Sequence, residues 1–372
     1  MPKLLFLLTL FAAATGGSAQ DHLKPVTPTF TEVFAAGKNG FPEVRIPSIV
    51  ISKTGVLLAF AEGRKNLRDQ AENKIILRRS LNGGQTWLET KVIADDGKRP
   101  LNNPCAVVDR KNGRILLMFQ SYPEQLKEAS GQIKTGYEGD DIVKSYLIYS
   151  DDEGQTWSAF KEITHQVKRA EKVTTIASGP GIGIQLQKGA HAGRLIMPFN
   201  EGPFGKWNAY TAYSDDGGVS WKIGDNVPNG TGIVNECQVV ELSDGRVLLN
   251  SRQMSGTAVR KISFSNDGGQ TWSPVADAPD LTDPRCMGSI LRLKNGNLLY
   301  SGPRSTKREN GTIYLSTDDG QTWPLHKTLE PKFFAYSSLV ELPNGTIGCL
   351  FEGDGYKRIL FARFSREWLL QP

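Results

Sequence analysis

Histidine, cysteine and long apolar runs are what this chain has least of. The four histidines, His22, His165, His191 and His326, stand far apart, with none of the spacings by which imidazoles share a metal. No metal site and no cofactor is expected. The glycine-rich SGPGIG from Ser178 lacks the strand–turn–helix setting of a phosphate loop and reads as a loop between strands. The four cysteines, Cys105, Cys237, Cys286 and Cys349, mostly sit beside apolar residues. Four cysteines admit three pairings, buried free thiols fit equally well, and no disulfide is assigned. Beyond residue 19 no stretch is long and apolar enough to span a bilayer, which takes about twenty residues. The formal net charge is only +5 over 372 residues. No block of lysine and arginine marks a nucleic-acid partner.

The first residues are different. Lys3 precedes an apolar run from Leu4 to Ala14, and Gly17, Ser18 and Ala19 supply small residues at a cleavage point. This is the pattern of a secretory signal peptide over residues 1–19. It predicts a secreted or periplasmic protein whose mature chain is residues 20–372. No cysteine follows the cleavage point to carry a lipid anchor. Without Lys3 the formal charge falls from +5 to +4, a mild excess that suits a small anionic ligand.

Two repeats then run out of phase along the chain. SLNGGQTW, SDDEGQTW, SDDGGVSW, SNDGGQTW and STDDGQTW begin at Ser80, Ser150, Ser214, Ser265 and Ser316, at separations of 70, 64, 51 and 51 residues. Short polar side chains in these boxes can bond their own backbone in a tight turn, and the closing tryptophan packs on a neighbouring sheet. The second repeat is a turn glycine followed by an apolar strand, at Gly55, Gly113, Gly193, Gly245, Gly296 and Gly345. Six such units, each of about 50 residues or more, match four-stranded blades. The expected fold is all-β, a single six-bladed β-propeller over residues 20–372, closed by the two chain ends meeting in one sheet. Extra length in SYPEQLKEASGQIKTGYEGD predicts loop with some helix.

The second repeat also aligns charges. Seven residues beyond the six glycines stand Glu62, Gln120, Asn200, Arg252, Pro303 and Glu352, with Arg304 next to Pro303. Polar groups in register at the ends of apolar strands point to one polar face. Arg45 interrupts the strand-like FPEVRIPSIV, and a buried arginine requires a partner. Arg45, Arg252 and Arg304 together would make a carboxylate trap of planar forks, with Glu62 and Glu352 holding the guanidinium groups.

With these residues the sequence resembles a known family. The turn boxes are similar to the Asp boxes of sialidases, and VRIP resembles that family's Arg-Ile-Pro motif. ASGPGIGIQLQKGAHAGRLIMP, GIVNECQVVEL, NSRQ, GPRS and AYSSLVEL follow in the order and spacing of bacterial-type exo-sialidases of glycoside hydrolase family 33. The resemblance covers almost the whole mature chain. It implies a substrate-binding arginine triad of Arg45, Arg252 and Arg304, a nucleophile Tyr336, its partner Glu236 and an acid/base Asp69. It further implies that Glu352 braces the first arginine and that Arg64 and Asn103 contact the ligand. Two departures, Val44 before the Arg-Ile-Pro motif and Asn82 in the first box, concern packing and turn geometry.

The resemblance implies hydrolysis of terminal sialic acid from sialylated glycans, glycoproteins or glycolipids by a monomer, with retained configuration. A sialic acid carries its carboxylate on the reacting carbon, so a carboxylate nucleophile would be repelled and a neutral phenol would not. Two other classes stay open: a non-catalytic sialoside-binding propeller, which needs the arginines but not Tyr336, Glu236 and Asp69, and a structural Asp-box propeller, which needs none of them. Within enzymes, a transferase or an anhydro-forming variant would share the nucleophile.

Overall fold

The six turn glycines set the architecture. Gly55, Gly113, Gly193, Gly245, Gly296 and Gly345 all have φ between 80° and 101°, a region glycine enters without steric cost. Each reverses the chain between a first and a second strand, as in Glu43–Ile51 to Leu57–Arg64 and Val234–Glu241 to Val247–Gln253. The computed structural model describes residues 27–371, and the leader expected over residues 1–19 lies outside them.

The protein is all-β. The first sheet runs Glu43–Ile51, Leu57–Arg64, Lys74–Ser80 and Lys91–Ala94 in sequence order, and the second begins with Leu101–Val108. The third pairs Ile176–Ser178 with Leu195–Glu201 and Asn208–Ser214, and the fourth runs from Val234–Glu241 to Ala276–Thr282. The long strand Leu325–Glu341 serves twice. Its first half pairs with Glu309–Ser316 and its second half with Ile347–Gly353. Thr29–Ala35, from the other end of the chain, pairs with Arg358–Phe364 and completes the last ladder.

Packing joins these ladders in a ring. Leu58, Phe60 and Leu77 of the first sheet share a core with Leu117 and Phe119 of the second. Second and third, third and fourth, fourth and fifth share cores in the same way. A further core joins Leu315 to Phe351. The circuit closes where Val33, Leu350 and Phe361 pack against Ile49 and Leu57.

All five boxes make one turn. In the second, the Ser150 hydroxyl donates to Asp152 at 2.8 Å and accepts from Gly154 N–H at 2.8 Å, and Asp152 accepts from Thr156 N–H at 2.9 Å. Asn82 takes the aspartate's part in the first, accepting from Thr86 N–H at 3.0 Å. The tryptophans reach the next sheet, Trp87 edge-on to Phe361 and Trp157 edge-on to Phe60. The extra segment after Ser121 contains one short 3-10 turn, Glu128–Ser130. SGPGIG lies along the inner edge of the second sheet, with Gly181–Ile182 paired to Cys105 and Ala106. All four cysteines are buried and unbridged. Among the described residues no helix is long and apolar enough to cross a membrane, and no group of three acidic, histidine or cysteine side chains could hold a metal.

Candidate active site

Four strands, each the first of its antiparallel ladder, carry the same irregularity. Between Arg45 and Ser48, Asn102 and Cys105, Val234 and Cys237, and Phe334 and Ser337, three steps on the first strand face two on its neighbour. Such a bulge bends the strand and re-aims one side chain. The residues at or within these bulges include Arg45, Asn103, Glu236 and Tyr336. At the first, Ile46 has φ 63°, costly for a β-branched residue. The Glu352 carboxylate holds it there, accepting Ile46 N–H at 2.8 Å.

Tyr336 and Glu236 face each other across the ring. The Tyr336 hydroxyl donates to the Glu236 carboxylate, 2.6 Å from both oxygens. Arg252 Nη1 donates to the Tyr336 oxygen at 2.9 Å and to Glu236 at 2.8 Å. Burial holds the phenol well above its usual pKa; Arg252 works against that and Glu236 reinforces it. The tyrosine therefore rests neutral, with a base placed to take its proton. Burial opposes the charge on Arg252, but Glu236 and Tyr336 outweigh it and raise its pKa.

Three guanidinium groups surround this tyrosine, and they are not the three expected from sequence. The Arg45 guanidinium carbon lies 5.6 Å from the Tyr336 ring centre and that of Arg308 5.3 Å, while Arg252 bonds its hydroxyl. Glu352, fully buried, braces Arg45 at 2.7 Å and also accepts Tyr336 N–H at 3.3 Å. Arg304 stands apart. It is exposed, at a shallow pocket with Asp280, Trp323 and His326. The hairpin after Pro303 explains the difference. Arg304 pairs back to Asn310, whereas the Arg308 carbonyl accepts Phe334 N–H at 3.0 Å and so places Arg308 beside Tyr336. Arg308 also donates to the Tyr356 hydroxyl and the Arg285 carbonyl, each at 2.8 Å. Its signal in the sequence was an arginine just before the third strand of its sheet, a place that counting along second strands passes over.

Asp69 lies on the loop after Leu57–Arg64, with its side chain 69% exposed, and accepts from Arg64 at 3.0 Å. Arg64 is buried to 1% and bonds Glu62 at 2.6 Å. Glu62, expected to hold a guanidinium group, holds that of Arg64, and Arg64, expected at the ligand, forms with it a buried strut under Asp69. Burial raises the Glu62 pKa, with Arg64 and the Asn103 N–H opposing. Asn103 joins this strut through its backbone, donating to Glu62 at 2.6 Å. One acidic residue escaped the sequence reading. Glu128 lies near Asp69 and Glu236, and burial pushes its carboxyl up to about 7, while those two carboxylates raise it further. Its long loop offers no periodic signal.

A family model described as a BNR repeat-like domain matches residues 55–349. A sialidase of Micromonospora viridifaciens is 38% identical over 92% of this chain and 55% of its own length. Sialidase-2 of Cricetulus griseus is 30% identical over 86% of this chain and 92% of its own length. In a solved structure, the Hadza microbial sialidase Hz136 superposes with a TM-score of 0.82 at 28% identity, covering 91% of this chain and 68% of that one. The chain thus spans little more than half the length of the Micromonospora protein.

Proposed function

The chain belongs to the sialidase family, and from that premise we propose that it is an exo-α-sialidase, a glycoside hydrolase releasing terminal sialic acid with retained configuration. The six four-stranded ladders are read as the blades of a propeller, one catalytic domain over residues 20–372 behind a leader at 1–19, secreted or periplasmic. The observation that carries the reading is the Tyr336–Glu236–Arg252 cluster, with contacts of 2.6–2.9 Å at the centre of the ring.

Arg45, Arg252 and Arg308 bind the sugar carboxylate and fix the anomeric carbon over the Tyr336 oxygen. A free tyrosine has a pKa of about 10, and burial raises this one, so attack needs a base within reach. Glu236 takes the proton as the Tyr336 oxygen bonds to the anomeric carbon. Asp69, exposed where a leaving group would emerge, gives its proton to the departing glycosidic oxygen. It then takes a proton from the water that displaces Tyr336, and Glu236 returns the phenol proton. Two displacements leave the configuration unchanged, in keeping with sialidases as the tyrosine-using exception among two-carboxylate glycosidases.

The test is fluorophore release from a fluorogenic α-sialoside by the wild type and by Tyr336→Phe. Release by the wild type alone supports the reading, and comparable release by both removes Tyr336 as nucleophile. Binding of sialic acid without release by either would make the protein a sialoside-binding propeller.

A further inference from the structure

Beside the catalytic cluster lies a second concavity that the chemistry above does not use. It is an open cleft of about 700 Å³, within the span of about 300–1,000 Å³ typical of small-molecule sites. Its floor is Glu201, last residue of the strand Leu195–Glu201. That carboxylate is buried, held by Arg169 at 2.8 Å and by the Asn226 amide at 2.6 Å. Arg169 in turn lies 4.6 Å over the Tyr210 ring, so the floor is rigid and locally neutral. The Asn226 side-chain oxygen is buried without a partner. On the walls Trp207 and Phe204 meet edge to face at 5.4 Å, with Phe204 57% exposed. Asn229, Asp225, Lys172 and Lys206 also line it, and among the described residues neither lysine ammonium has an ion-pair partner.

The cleft lies beside the strands that carry the catalytic cluster. Ile233, on the cleft wall, is three residues before Glu236. On the other side Gly202 lies tight against Thr175 and Trp207. The Ile233 carbonyl accepts the N–H of Met254, two residues beyond Arg252, at 2.8 Å. A glycan whose terminal sugar sits over Tyr336 would therefore pass along this wall.

Resting on the reading of the chain as a sialidase, we infer that the cleft binds a second pyranose ring of the sialylated glycan. Exposed aromatic faces offer an apolar platform to the C–H side of a sugar. Side-chain amides and ammonium groups above a neutral floor suit its hydroxyls, and an apolar ligand would strand them. Binding energy gathered from this remote ring strengthens transition-state binding at the reacting carbon.

Two measurements test this. The first is the ratio of kcat/KM on a sialylated trisaccharide to kcat/KM on a fluorogenic α-sialoside, which has no second sugar. Trp207→Ala is expected to lower that ratio about tenfold and Asn229→Ala by a smaller factor. A ratio within twofold of wild type in both variants overturns the inference. The second needs no turnover: saturation-transfer NMR with lactose, the asialo disaccharide, should show contact with wild type that Trp207→Ala loses. No lactose contact in the wild type also overturns it. A wild type that contacts lactose but releases no sialic acid would sink the sialidase reading and leave the cleft a sugar site. Asn229, at the cleft edge, keeps the test valid if Trp207→Ala does not fold.

Discussion

Replacing Arg308 by alanine separates the two candidate arginine triads. Arg308 has two N–H groups engaged, at the Tyr356 hydroxyl and the Arg285 carbonyl, and its guanidinium carbon sits 5.3 Å from the Tyr336 ring centre. The rest of its fork is free to meet a ligand carboxylate. One charge-assisted hydrogen bond contributes roughly 1.5–3 kcal/mol net. At about 1.4 kcal/mol per tenfold, loss of one bond weakens binding roughly 10- to 150-fold. The assay is the inhibition constant of an unsaturated sialic acid analogue against fluorogenic sialoside turnover, with residual activity sufficient to read it. Arg308→Ala is expected to raise the constant by that factor and Arg304→Ala to leave it within about twofold, since surface substitutions far from a site usually act within about 0.5 kcal/mol. Arg308→Lys should recover only part of the loss, because an ammonium keeps the charge but not the planar fork. Equal weakening by Arg304→Ala and Arg308→Ala, with melting temperatures unchanged, would refute the placement of the third arginine.

Removing Glu352 should cost stability as well as activity. Glu352→Ala leaves Arg45 buried without its anion, a loss of about 3–5 kcal/mol, read as a lower denaturant midpoint with unchanged slope. A midpoint equal to wild type would contradict the buried pair. Glu128 should shape the pH profile. Its carboxyl, raised to about 7 by burial, is neutral below that pH and adds a negative charge near Asp69 and Glu236 above it. The activity ratio of Glu128→Gln to wild type should therefore change between pH 6 and 8, about one unit either side of that value. A flat ratio across that interval would place Glu128 outside the site's electrostatics.

Much of this was legible in the sequence because it repeats. A turn glycine must occupy positive φ, so six of them announce six first-to-second strand turns, and counting seven residues onward found Glu62, Arg252 and Glu352 at strand ends. The boxes were readable for the same reason, down to Asn82 forming the turn without a carboxylate. Arg304 and Arg308 were not separable in this way. They stand four residues apart, and only the pairing of the hairpin and of Phe334 decides which meets Tyr336. Arg64 was placed at the ligand by the family resemblance alone. Its burial depends on Glu62 lying beneath it and Asp69 above, a vertical order that a linear reading does not contain. Glu128 depends on the course of a long irregular loop.

The four first-strand bulges carry a consequence for how such a site changes over time. Outside the slipped residues the strands keep strict alternation, so the side chains that hold the sheets together answer to one constraint and those that meet the ligand to another. A substitution within a slip can alter chemistry while the flanking hydrophobic register stays in place. Deleting one residue there, next to Glu236 or Tyr336, would restore even pairing of three steps reduced to two. The sheet would heal and the functional group would turn away. Loss of activity and loss of fold are thus separable events in this protein, and a chain that has forfeited its chemistry could persist as an intact ring available for other uses.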